Sequence, residues 1–175
     1  EGFDHGDYGA KVLFEEGIIR KFIDTNEYDE IIRKAIKNHN QFSIESGLTQ
    51  EEMMFAKLIR DADKIDILYE SVYIFYKNNE DMVNKSILSE KIYNEFMKKS
   101  SIRKEKNVIL KYIDDIVCVL ALIFDINYKP SFEILKKENY IFEILNRYNF
   151  DDELTKKRVE SIEIIANEYI NTKIK

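Results

Sequence analysis

From Leu48 to Lys175 the chain runs for 128 residues without a glycine, and its only proline is Pro130. Turn-rich β folds and flexible linkers draw on both residues, glycine for positive φ and proline for a fixed φ, so a chain this poor in them is expected to be built from helices. Its 175 residues are 45% apolar. Burial on the order of 100 kcal/mol then stands against a conformational entropy cost of similar size, so folding needs no disulfide or structural metal. The expected fold class is all-α.

All five glycines (Gly2, Gly6, Gly9, Gly17, Gly47) and both histidines (His5, His39) fall in the first 47 residues. The front of the chain therefore reads as the place for a site and the remainder as scaffold. Twenty-seven basic against 33 acidic side chains leave a net charge of −6. That balance disfavours nucleic acid and anionic membranes as partners. The basic clusters Lys98-Lys99 and Arg103-Lys104 have acidic neighbours and read as solvated helix faces. The longest uncharged apolar run, 116–124, is nine residues, far below the about 20 of a membrane-spanning helix. Cys118 lies within that run, where an apolar setting raises its thiol pKa and makes it inert. One unpaired cysteine fits a reducing, cytoplasmic setting, and the abundance of Ile, Lys and Asn fits an AT-rich bacterial genome.

Hydrophobic spacing predicts helices over 4–16, stopped by Gly17, and over 29–38, with Ile31, Ile32, Ala35 and Ile36 as the apolar stripe. Residues 40–47 read as a loop. Thr49-Gln50-Glu51-Glu52 matches a capping box, and a long helix is expected to start there. It carries Met53, Met54, Ala56, Leu58, Ile59, Ala62, Ile65, Leu68, Val72 and Phe75, and no breaker occurs before Asn78-Asn79. Further helices are expected at 86–99, 106–126, 131–147 and 152–172, the third capped by Ser131 after Pro130 and the last by Asp151-Asp152. The eleven Tyr and eleven Phe read mostly as core. The organisation expected is residues 1–78 as one helical part and 79–175 as a helical extension continuous with it.

No glycine-rich phosphate loop, paired cysteines or serine-triad motif is present. Three features remain: His5 in Asp4-His5-Gly6, His39 in Asn38-His39-Asn40, and the acidic string Asp61-Ala62-Asp63-Lys64-Ile65-Asp66. His39 also suits a helix C-terminus through the dipole alone, His5 a chain-end surface, and the three aspartates a solvated face. Helical spacing puts Asp63 near the edge of the buried stripe, with Asp61 and Lys64 pointing more outward. A carboxylate at a core edge needs a partner, and a metal ion held also by imidazoles would supply one.

The order of three blocks, Asp4-His5-Gly6-Asp7-Tyr8-Gly9-Ala10, then residues 32–40, then 56–66, resembles the back half of an HD domain, the all-helical superfamily of metal-dependent phosphohydrolases. Residues from about 85 onward resemble a helical tail found in one bacterial subgroup. The resemblance implies an HD-like helical bundle with additional C-terminal helices. It implies His5, His39 and Asp63 as metal-site residues, Asp63 being catalytic in that role. Mn, Fe, Ni, Co or Mg would suit such ligands, and a metal-activated water would attack a small phosphorylated substrate. Arg60 or Lys64 would steady the phosphate, although both also read as helix-surface charges.

The family's first histidine and its His-Asp dyad have no match here; the resemblance places them some tens of residues before Glu1. Without the leading helices an apolar patch is expected to be exposed, covered either by a partner subunit such as a second copy or by the leading segment itself. The competing reading is a non-catalytic helical binding or regulatory module with an incomplete metal site.

Overall fold

A computed structural model describes residues 4–74, 79–104, 110 and 112–175. Over these residues the protein is all-helical, with no strand. It divides into two compact units, Glu1–Asp63 and Lys64–Lys175. The division falls inside the longest helix, fifteen residues before the expected boundary at 78/79.

The first unit begins with α1 (His5–Ala10), whose N-cap Asp4 accepts hydrogen bonds from the Gly6 and Asp7 amides. The helix widens into a π turn over Lys11–Glu15 and stops at Gly17, which sits at φ +73°, a left-handed conformation that glycine adopts without a Cβ penalty. A 3₁₀ turn (Ile18–Lys21) leads to α2 (Asp29–His39). The helix α3 (Gln50–Tyr73) follows. Its capping box forms as expected: Thr49 N–H donates to Glu52 Oε2 (2.8 Å), and Glu52 N–H donates to Thr49 Oγ1 (3.2 Å).

Burial along the first half of α3 differs from the expected stripe. Glu52, Ala56, Arg60, Asp61 and Lys64 are buried, whereas Met54, Leu58 and Ile59 are exposed. Asp61 and Lys64, expected to point outward, are only 1% and 5% exposed. The physical reason is that Glu52, Arg60 and Lys64, spaced at multiples of four, find polar partners when buried. Glu52 accepts from Lys34 Nζ at 2.7 Å, and Lys64 Nζ lies 3.1 Å from Asp125 Oδ2. Among the described residues of this unit, apolar burial is confined to Ala10, Ile19, Ala35 and Ala56, while Tyr8, Phe22 and Phe42 remain exposed.

The second unit holds the main apolar core. Leu68 and Val72 from α3 join Phe96 of α5 (Glu90–Met97), the buried face of α6 (Tyr112–Leu120), and Phe132 and Leu135 of α7 (Lys129–Glu138). Ile141, Ile144 and Leu145 of α8 (Tyr140–Leu145) and Val159, Ile162, Ala166 and Ile170 of α9 (Glu153–Ile174) complete it. The short α4 (Glu80–Asn84) adds Val83. Edge-to-face rings link Phe96 to Phe124 and Phe124 to Tyr169 at 5.0 and 4.9 Å between centroids. Cys118 is buried, and desolvation pushes its thiol up to about 11. Lys98 pairs with Glu95 and Lys104 with Asp115, so those basic clusters have acidic partners.

Four local expectations change. The helix expected over 106–126 is α-helical only to Leu120 within the described residues and goes on as a 3₁₀ turn over Ala121–Asp125. The helix expected over 131–147 is two helices, because Asn139 adopts φ 54° and ends α7 before α8 begins. The α7 N-cap is Tyr128, which leaves Ser131 inside the helix. The helix expected over 86–99 starts at Glu90, capped by Ser89, whose hydroxyl accepts from Ile92 N–H. Phe75 and the stretches 75–78 and 105–109 lie outside the described residues. Among the described residues no helix is long and apolar enough to cross a membrane.

A buried acceptor ties α9 to the segment before α5: Leu88 N–H donates to Thr155 Oγ1 at 3.1 Å. Thr155→Val keeps the volume and orphans that amide. Urea unfolding is expected to show a loss of about 1–3 kcal/mol, the cost of an unsatisfied buried donor. A change within ±0.5 kcal/mol, usual for surface positions, would contradict this role.

Candidate functional site

His5 lies at the start of α1 and His39 at the end of α2, yet their rings meet edge-to-face with centroids 4.8 Å apart. Thirty-four residues of sequence separation are closed by a close approach of the two helices. Gly6 makes that approach feasible. A Cβ built on it would lie 2.6 Å from Asn40 Oδ1 and 3.0 Å from the Ile36 carbonyl oxygen. Gly9, one turn on, has ordinary room, with Ile36 Cγ2 at 3.6 Å.

Asp4 fastens the two helices together. Its Oδ1 accepts from the Gly6 and Asp7 amides and from Asn40 Nδ2 (2.8 Å), and its Oδ2 accepts from Gln41 Nε2 (2.8 Å). The Asn40 amide, with the Asp7, Gln41 and Gly6 donors, holds the Asp4 carboxyl far below its ordinary 3.8. The same Asn40 Nδ2 lies 3.5 Å from His5 Nδ1, at the outer limit of hydrogen bonding. Lys37 and Asp7 add an exposed ion pair between the helices at 3.2 Å.

His39 is fixed from its own helix. Its Nδ1 lies 2.5 Å from the Ile36 carbonyl oxygen. A carbonyl can only accept, so Nδ1 is the donor in this contact, and in the neutral ring Nε2 then carries the lone pair. This is the second-sphere arrangement common among metal-binding histidines.

The loop after α2 is organised by buried polar groups. Asn38 donates to the Lys34 carbonyl (2.8 Å) and accepts from the Glu45 amide (2.8 Å). Arg60, 2% exposed, donates through Nη1 to the carbonyls of Asn38 (2.8 Å) and Gln41 (2.6 Å). The carbonyls of His39 and Phe42 lie 3.5 and 3.4 Å from its guanidinium.

The structure therefore brings His5 and His39 together. Asp63 is half-buried on α3, and among the described residues no group of three or more His, Cys, Asp or Glu is gathered closely enough to hold a metal ion. Two imidazoles supply half of a four-coordinate shell, so their chemistry suits a transition metal while their number calls for further ligands. Arg60 and Lys64, read from sequence as phosphate contacts or surface charges, are both buried; Arg60 faces backbone carbonyls and Lys64 pairs with Asp125. The supporting residues Asp4, Gly6, Asn38 and Asn40 escaped sequence reading. An N-cap aspartate followed by glycine was the available signal for the first two.

No protein-family model matches the chain, and neither does any curated protein or solved structure.

Gly6→Ala is expected to cost about 1–3 kcal/mol, as overpacking does, and to abolish the NOE between the His5 and His39 rings. Gly9→Ala should keep the NOE and leave thermal stability equal or slightly raised. Equal behaviour of the two variants would contradict the close-approach argument. Because the folded pKa of Asp4 is depressed, its stabilisation is fully present above about 3.8 and is lost as pH falls below that value toward the folded pKa. In acid titrations followed by circular dichroism, Asp4→Asn should flatten the loss of stability below about pH 4 relative to wild type; parallel profiles would refute the linkage.

Proposed function

We propose that this chain carries part of the metal site of a phosphohydrolase resembling the HD superfamily. The observation that supports this reading is the pairing of His5 and His39, two residues that the resemblance selects from separate sequence blocks and whose rings stand 4.8 Å apart. A divalent ion held there would lower the pKa of a bound water and polarise a phosphoryl oxygen. His39, through its free Nε2, and His5 are the ligands proposed from α2 and α1. Asp63 is the proposed third ligand. The remaining ligands would come from the first histidine and His-Asp dyad that the resemblance implies.

The substrate proposed is a small phosphorylated molecule, a nucleotide or another phosphoester. The setting proposed is a bacterial cytoplasm, possible partners including a second copy of the chain. Neither nucleic acid nor membrane is part of the proposal.

The full-length gene product is the right material for the test. Metal analysis should find a divalent transition metal or Mg, and hydrolysis of bis(p-nitrophenyl) phosphate should depend on added metal and stop with chelator. His39→Ala and Asp63→Ala should each reduce turnover to the uncatalysed level while leaving the helical circular dichroism intact. A protein with no bound metal and no metal-dependent turnover would sink the enzymatic reading and favour the non-catalytic module.

A further inference from the structure

Arg60 is the largest side chain in the first unit that is almost fully enclosed, and its guanidinium faces the C-terminal end of α2. The last carbonyls of an α-helix have no helical N–H partner and need one from elsewhere. At α2 the Ile36 oxygen is taken by the His39 ring, and the Asn38 oxygen by Arg60. Arg60 then reaches past the helix end to Gln41, with the His39 and Phe42 oxygens near its fork. One planar group thus gathers the backbone on both sides of His39 and Asn40. Asp4 in turn holds the side chains of Asn40 and Gln41.

We infer that Arg60 is a positioning residue for the imidazole pair: it fixes the backbone of residues 38–42 so that His39 keeps its Nδ1–H on Ile36 and its ring on His5. The role rests on the proposed metal site for its functional meaning, and it replaces contact with substrate as the work of this side chain. Arginine suits it because a flat fork with five donors reaches several oxygens at once, which a lysine ammonium cannot do in the same geometry.

The test uses the full-length protein with Arg60→Met and Arg60→Lys, the second retaining the charge and the apolar stem. Long-range ¹H–¹⁵N spectra report the His39 tautomer, ring NOEs report the His5–His39 pair, and cobalt(II) titration reports metal affinity. Arg60→Met is expected to lose the Nδ1–H tautomer and the NOE, with Phe96 and Phe124 signals unchanged. If Arg60→Met fails to fold, Arg60→Lys decides alone. Arg60→Lys is expected to raise the cobalt(II) Kd by about 10-fold, in line with loss of an outer-sphere partner, and to show a mixed tautomer. Wild-type tautomer and NOE in a folded Arg60→Lys or Arg60→Met protein would overturn the inference. Should wild type bind no cobalt(II), the metal reading fails, and the tautomer and NOE readouts still decide the role of Arg60.

Discussion

The approach of α1 to α2 at Gly6 is the constraint on which the imidazole pair depends. A Cβ there would lie 2.6 Å from Asn40 Oδ1 and 3.0 Å from the Ile36 carbonyl oxygen. Both belong to the site's support: Ile36 orients His39, and Asn40 joins Asp4 beside His5. The missing Cβ therefore leaves room for the close approach of the two helices that carry the rings. The Asp4 carboxylate then locks this approach with donors from both helices.

The two units are held by different physics. The second has an apolar core of the usual kind, drawn from α3 to α9 and laced by edge-to-face aromatic contacts. The first buries mainly small residues together with Asn38, Glu52, Arg60 and Asp61. Polar burial of this sort stabilises only when its hydrogen bonds are made, and it is costly to disturb because each orphaned group keeps its desolvation penalty. Such an interior fixes the backbone of residues 38–42 through hydrogen bonds rather than through apolar burial.

Periodicity and glycine scarcity made the helical class legible, along with the Gly17 stop, the Thr49–Glu52 capping box and the Asp152 cap. They could not reveal the break at Asn139, since a left-handed asparagine is a local choice between loop and helix that spacing does not encode. The inverted first half of α3 was hidden for a related reason. Hydrophobic patterning assumes that apolar residues turn inward, and here Arg60 and Glu52 do so because carbonyls, a capping threonine and Lys34 await them. For the site, the resemblance picked out His5 and His39, whereas the burial of Arg60 was not legible because the carbonyls of Asn38 and Gln41 that receive it are backbone atoms, which carry no sequence signature.

The central claim is that His5 and His39 act together as ligands, and pulsed EPR on the copper(II)-loaded full-length protein tests it most directly by counting equatorial imidazoles. The account predicts both rings in the wild-type signal, with one imidazole fewer after His5→Ala and likewise after His39→Ala. A spectrum that neither substitution alters would contradict it.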